Sequence, residues 1–287
     1  MHVLFSCDNS RYMWWQAEFL QYTYTKAGMR APLTALVSVT EEKPRTFSCS
    51  SVTVSNYRHC CGEALYAPLN KPGGISDWLR TDRSPDETVF IVDPDSAFMN
   101  VIPEPGVAPG QAYSQEHRYL HSDLPASKVV LRRHCSAKLH NRVQPVGIYI
   151  LIRKSDLRRL APRWLQKSIE IRSDRTCRDA LPHNGWVSEM WGYVIAAAES
   201  GIHHHIADLS QATGENRLSA PIIHYCFPVV KRDAPPWRSG TKGVLWSKWS
   251  YHPWQIPLIP SNAPPEGRAL LARLAEFAAL RGTQTFG

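Results

Sequence analysis

The first forty residues constrain the fold more than any other stretch of the chain. His2 to Cys7 is a short apolar run closed by Asp8 and reads as a strand. Tyr12 to Ala27 carries Trp15, Phe19 and Tyr22 at i, i+4 and i+7, which is helical spacing. Gly28 stands where the left-handed residue that ends a helix belongs. Leu33 to Val39 reads as a second strand. Strand, helix and strand in so short a span form a βαβ unit, which predicts a parallel sheet with covered faces.

Later segments extend this pattern. Thr88 to Val92 is a wholly apolar strand ending in Asp93-Pro94-Asp95, and Val146 to Ile152 is another buried strand. Pro72 to Leu79 reads as the start of a short helix with Trp78 packed. Ser155 is the expected N-cap of a helix running towards Glu170. Trp186 to Ser200 reads as a strong helix stopped by Gly201, and Ile202 to Leu209 and Ile222 to Val230 as strands. Pro265 to Leu280 is amphipathic, with Leu270, Leu274 and Phe277 on one face. The stretch from Glu41 to Leu69 is poorly patterned, and Pro103 to Pro125 reads as a long loop. There is no internal repeat and no convincing linker. The expected organisation is one α/β domain over residues 1–287, with a mixed, mainly parallel sheet and a C-terminal helical extension from about residue 231.

Composition narrows the class. The chain has 287 residues, of which 43% are hydrophobic and 20% charged, a globular rather than a disordered balance. No run approaches the roughly 18 apolar residues of a membrane span, and no basic segment precedes an apolar one at the N-terminus. A soluble, cytoplasmic protein is expected, or one of the secretory lumen if an anchor has been removed. Seven scattered cysteines without a C-x-x-C pair argue against zinc-ribbon and thioredoxin chemistry. The net charge of +8 suits either nucleic acid or a phosphate ester. No nucleic-acid module is legible, so a phosphate-bearing small molecule is the expected partner.

Several groups of residues carry chemistry. Asp93 and Asp95 stand at the carboxyl end of a buried strand, where open α/β sheets bind ligands. Two adjacent carboxylates repel one another, and a divalent cation such as Mn²⁺ or Mg²⁺ removes that penalty while leaving sites for phosphate oxygens. The alternative is a solvated β-turn with Pro94 fixing φ. His224, near the end of another apolar strand, completes a metal site or is a hydrogen-bonded core histidine. Glu189 in Gly-Trp-Val-Ser-Glu-Met either serves its helix dipole or faces a substrate. Asn70-Lys71-Pro72-Gly73-Gly74 opens a helix, and is either a phosphate-contacting turn or a simple one. His203-His204-His205 lies in a strand, so its three imidazoles cannot share a face, and a surface strand is expected. Trp237, Trp246, Trp249 and Trp254 either offer stacking platforms or pin the C-terminal extension.

Taken in order, these segments resemble the hydroxyproline O-arabinosyltransferases and the related peptidyl serine α-galactosyltransferases. The matching residues are Phe5-Ser6-Cys7 with Tyr12, Trp15-Gln16 and Lys26-Ala27-Gly28; Asn70-Lys71-Pro72 with Trp78-Leu79; and Phe90 to Asp95. They continue through Pro145-Val146-Gly147, Ser155-Asp156-Leu157 with Ala161-Pro162 and Trp164, Gly185 to Met190 with Tyr193, Ile223-His224-Tyr225, Trp246-Ser247-Lys248 and Pro264-Pro265-Glu266. The resemblance implies a GT-A (Rossmann-like) glycosyltransferase that takes a UDP-sugar, uses Mn²⁺ or Mg²⁺, and retains anomeric configuration. It implies Asp93, Asp95 and His224 as metal ligands. Lys71, Asn70, Gly73, Asp93 and Trp186 would lie at the donor, and Glu189 and Ser188 would be catalytic. The acceptor would be a hydroxyl of a hydroxyproline or serine peptide, or of a small molecule, and the sugar galactose or arabinofuranose. A catalytically inactive glycan- or peptide-binding relative and a basic RNA-binding protein are the competing readings.

Overall fold

The computed structural model describes residues 1–41, 45–62, 65–213, 220–232, 243–250, 253 and 258–281. The opening βαβ unit is present as β1 (His2–Asp8), α1 (Arg11–Lys26) and β2 (Leu33–Ser38), with β1 and β2 parallel. Ser10 caps α1 by accepting a hydrogen bond from the Met13 amide. β3 (Ser50–Val54) pairs parallel to β2, α2 (Asn70–Thr81) follows, and β4 (Thr88–Val92) pairs parallel to β1. β5 is Ser96–Phe98, β6 Gln111–Glu116, α3 Pro125–His134, β7 Val146–Arg153 and α4 Lys154–Ser173. The short helices α5 (Arg175–Ala180) and α6 (Pro182–Gly185) lead to α7 (Ser188–Glu199). The rest comprises β8 (His203–Ile206), β9 (Ser210–Ala212), β10 (Ile222–His224), β11 (Val229–Val230), β12 (Val244–Trp246) and α8 (Pro265–Arg281).

The main sheet runs β3-β2-β1-β4-β7-β6-β8. Within it β7 is antiparallel to both β4 and β6, and every other pairing is parallel. The expected mixed, mainly parallel sheet is therefore present. β7 is buried along all but its last residue because both sheet faces are covered, which is why it reads as an unbroken apolar run. No helix among the described residues is long and apolar enough to cross a membrane.

Four expectations are corrected. The unpatterned stretch before residue 69 contains β3, an edge strand whose first two residues are exposed and whose pattern is accordingly faint. The loop expected over Pro103 to Pro125 contains β6, which buries only Ala112 and Ser114 and so carries no apolar signature. Ser155 does not cap α4: that helix begins at Lys154, after Arg153, without a side-chain cap. The helix expected from Trp186 begins at Ser188, because His183, Asn184 and Gly185 just before it have positive φ (50°, 51° and 74°). The histidine triplet does form a surface strand, β8 at the sheet edge: His203 is exposed, while His204 faces the other way, is buried and bonds the Tyr193 hydroxyl at 2.8 Å.

The strand expected over Ile222 to Val230 splits into β10 and β11. β10 lies between β5 and β9 in a second small sheet, which sets His224 opposite Ser96. α8 buries Leu270, Leu274 and Phe277 against Trp14, Trp15 and Phe19 of α1. Trp246 joins that cluster and donates its indole N–H to the Pro253 carbonyl, so it pins the C-terminal segment, whereas Trp249 is exposed. Trp237 and Trp254 lie outside the described residues. The seven cysteines are free thiols.

Candidate active site

The site forms at the carboxyl end of β4, beside the point where β7 reverses the sheet. The chain leaves β4 through Asp93 and Asp95 and folds back at once into β5. Ser96 locks the turn: its hydroxyl donates to the Asp93 carbonyl at 2.5 Å and accepts from the buried Tyr149 hydroxyl at 2.6 Å. The β5–β10 pairing then brings His224 to the aspartates. Its Nε2 lies 3.2 Å from Asp95 Oδ1 and 3.9 Å from Asp93 Oδ2. One ligand atom from each of Asp93, Asp95 and His224 falls within 4.8 Å of the other two.

Two ammoniums complete the centre. Lys248 Nζ is 2.5 Å from Asp95 Oδ2, and Lys71 Nζ is 2.8 Å from Asp93 Oδ1 and 3.6 Å from Glu189 Oε2. Burial pushes the Asp95 carboxyl up, but Lys248 and His224 outweigh it and hold it far below the usual carboxylate range. Burial likewise opposes the Lys71 charge, and Asp93 and Glu189 more than restore it. For Glu189 burial wins: desolvation raises its pKa against the pull of Lys71. Glu189 is 1% exposed and its Oε2 accepts no hydrogen bond among the described residues.

The other residues expected at the site are placed differently. Asn70 is buried and its side-chain oxygen accepts the Tyr57 amide at 2.7 Å. A Cβ on Gly73 would lie 2.2 Å from the Tyr57 ring, so the close approach made possible by that glycine is used by Tyr57. Ser188 is fully buried and donates to the Gly185 carbonyl at 2.7 Å. Trp186 is 51% exposed and meets Tyr66 edge-to-face at 6.0 Å, three residues before Glu189. Thus Asp93, Asp95, His224, Lys71 and Glu189 converge, while Asn70, Gly73 and Ser188 support the loops and helices that carry them.

Sequence reasoning gave no role to three residues here. Lys248 has only the short Trp-Ser-Lys signal. His117 and Tyr119 fall in the stretch read as a loop. Their rings lie 5.3 Å apart, His117 Nε2 bonds the Ile148 carbonyl at 2.8 Å, and Gly147 leaves room for the imidazole. Burial raises the Tyr119 pKa, with Glu189, Lys71 and Asp93 close enough to act on its charge.

A second cluster, His134, Asp174 and Cys177, is less suited to a cation. Arg133 already sits 2.5 Å from Asp174 Oδ2, and burial lifts the Cys177 thiol to about 11. The Asp93 cluster offers two carboxylates and an imidazole at the ligand end of a sheet. That donor set fits a divalent ion such as Mn²⁺ or Mg²⁺.

Comparison with solved structures defines the class. The galactosyltransferase LgtC, solved in complex with donor and acceptor sugar analogs, superposes with a TM-score of 0.54 at 11% identity, covering 98% of this chain and 96% of that one. An active-site mutant of LgtC gives a TM-score of 0.56 over the same shares. The fold is that of the GT-A glycosyltransferases. Residues 1–206 match the model of the hydroxyproline O-arabinosyltransferase family N-terminal domain, and the chain belongs to that family. It is 30% identical over 222 residues to a peptidyl serine alpha-galactosyltransferase of Arabidopsis thaliana, covering 72% of this chain and 27% of the relative. It is 25% identical over 192 residues to hydroxyproline O-arabinosyltransferase 3 of Arabidopsis thaliana, covering 65% of this chain and 45% of the relative. The chain thus spans less than half the length of these two curated relatives.

Proposed function

We propose that this chain is a metal-dependent glycosyltransferase. It moves galactose or arabinofuranose from a UDP-sugar to a hydroxyl of a hydroxyproline- or serine-containing peptide, or of a hydroxylated small molecule, with retention at the anomeric carbon. The observation that carries the reading is the continuous charge array Lys248–Asp95–His224–Asp93–Lys71–Glu189. It joins a cluster suited to a cation to a buried carboxylate whose Oε2 accepts no hydrogen bond among the described residues, through the Lys71 ammonium. The family match, with one relative a galactosyltransferase of peptidyl serine and another an arabinosyltransferase of hydroxyproline, supports the class of sugar and acceptor.

In this reading Asp93, Asp95 and His224 would hold Mn²⁺ or Mg²⁺, which when bound would supply Lewis-acid stabilisation of the departing diphosphate. Lys248 and Lys71, held beside Asp95 and Asp93, supply positive charge for the phosphates. The bond between C1 of the sugar and the β-phosphate oxygen breaks, with its electron pair leaving on UDP. The acceptor oxygen forms the new bond to C1 and its proton passes to the departing β-phosphate oxygen. Glu189, shielded from water, stabilises the positive charge that develops at C1. Trp186 offers its exposed face to a sugar ring of the donor. Asn70, Gly73 and Ser188 act on the donor and the chemistry through the loops they fix.

The test is incubation with UDP-galactose and UDP-arabinofuranose, each with a hydroxyproline peptide and a serine peptide, with and without Mn²⁺. The expected result is one Mn²⁺-dependent glycopeptide whose anomeric proton signal matches the configuration of the donor. An inverted product would overturn the retaining mechanism, and no product with any pair would overturn the activity.

A further inference from the structure

Tyr66 is fully buried and stands just before α2, whose first turn carries Lys71. Its hydroxyl reaches 120 residues along the chain to donate to the Trp186 carbonyl at 2.5 Å. The same oxygen accepts the Glu189 amide, 123 residues away, at 2.9 Å. One atom therefore bridges the turn that launches α7. The amides of a first helical turn have no partner within their own helix, so the Glu189 amide depends on Tyr66.

The surroundings fix Tyr66 as firmly as Tyr66 fixes the turn. The Arg172 guanidinium lies 4.6 Å over its ring. Arg172 also donates to the carbonyl of Asn184, one of two non-glycine residues in the left-handed region just upstream. Strain of that kind persists only where neighbouring structure imposes it, and it collects at functional sites. The Glu189 carbonyl is held as well, by the Trp164 indole at 3.1 Å. The Glu189 carboxylate is held less closely: its Oε2 accepts no hydrogen bond among the described residues, and the Lys71 ammonium stands 3.6 Å away. Its position is thus inherited from its backbone. Phenylalanine at position 66 would fill the same space, so packing alone leaves the hydroxyl unexplained.

We propose that the Tyr66 hydroxyl is a positioning group for Glu189: it ties the helix carrying Lys71 to the helix carrying Glu189 and sets that carboxylate for the transfer step. The inference rests on the function proposed above. The test compares wild type with Tyr66→Phe and Arg172→Lys, the latter loosening the ring while keeping the hydroxyl. Steady-state transfer is read together with the affinity and stoichiometry of Mn²⁺-dependent UDP binding. The expected result is a kcat at least tenfold lower in Tyr66→Phe and lowered by a smaller factor in Arg172→Lys. UDP affinity stays within twofold and binding stays at one UDP per chain in both variants. Unchanged kcat in both variants overturns the positioning role. A kcat that falls only in step with UDP-binding stoichiometry also overturns it, by showing lost folded protein instead. Failure of wild type to turn over any UDP-sugar overturns the functional reading and this inference with it.

Discussion

Lys248→Met removes the ammonium that sits 2.5 Å from Asp95 Oδ2 and keeps most of the side chain's length. Both partners are nearly buried, at 10% and 13% side-chain exposure, so water cannot replace the lost charge. Asp95 keeps only His224, and Asp93 adds a second negative charge to the same cluster. Breaking a buried ion pair from one side costs roughly 3–5 kcal/mol. For a chain of this size each kcal/mol lowers Tm by roughly 2–4 °C, so the metal-free variant melts on the order of 10 °C below wild type. A cation at Asp93, Asp95 and His224 supplies the missing charge. Mn²⁺ at a hundred times its Kd contributes about 2.7 kcal/mol, enough to restore about half the loss or more. Differential scanning calorimetry with EDTA and with Mn²⁺ measures both quantities. A variant that melts low and gains nothing from Mn²⁺ would refute the assignment of these carboxylates to a cation.

Three further outcomes are expected. Glu189→Gln keeps the shape of the side chain but removes its charge; transfer falls by about a hundredfold or more while UDP affinity in titration calorimetry is unchanged. Gly192→Ala places a Cβ 2.2 Å from Ser168 Oγ and 2.7 Å from its amide nitrogen. It forces α7 away from α4, costs about 1–3 kcal/mol in urea unfolding, and lowers kcat because Glu189 rides on α7. Burial, with the charges of His203 and His205, lowers the His204 pKa from 6.5 to about 3. The unfolded chain therefore binds a proton that the folded chain rejects. This contribution is complete above pH 6.5 and lost as pH falls, by about 2 kcal/mol between pH 7.5 and 5. Urea midpoints across that range in wild type and His204→Gln measure it, and equal pH slopes would refute it.

The parts of the fold legible in the sequence are those buried on both faces. β1, β2, β4 and β7 read as largely apolar runs because nearly every residue along them is buried, on both faces of the sheet. β3 and β6 are not legible in this way, since an edge strand and a half-polar strand leave too few apolar residues to show a period. The candidate site divides similarly. Asp93, Asp95, His224, Lys71 and Glu189 each stand next to a legible element, so the residues and their order could be read together. Lys248 and Tyr66 lie in stretches without periodicity, and only tertiary contact reveals their partners. Gly73 and Ser188 show the opposite difficulty. A glycine near a helix start signals a close approach, but nothing local says that the approaching group is the Tyr57 ring. A serine beside Glu189 signals a hydroxyl in the site, but its hydrogen bond returns to its own turn.

In the proposed function Asp93, Asp95 and His224 would hold a cation that makes a UDP-sugar reactive. The most direct measurement is UDP release from a panel of UDP-sugars, with and without Mn²⁺, by wild type and by Asp95→Ala of matched fold. The expected result is Mn²⁺-dependent release from one sugar, abolished in Asp95→Ala. Release that persists without metal, or in Asp95→Ala at the wild-type rate, would contradict it.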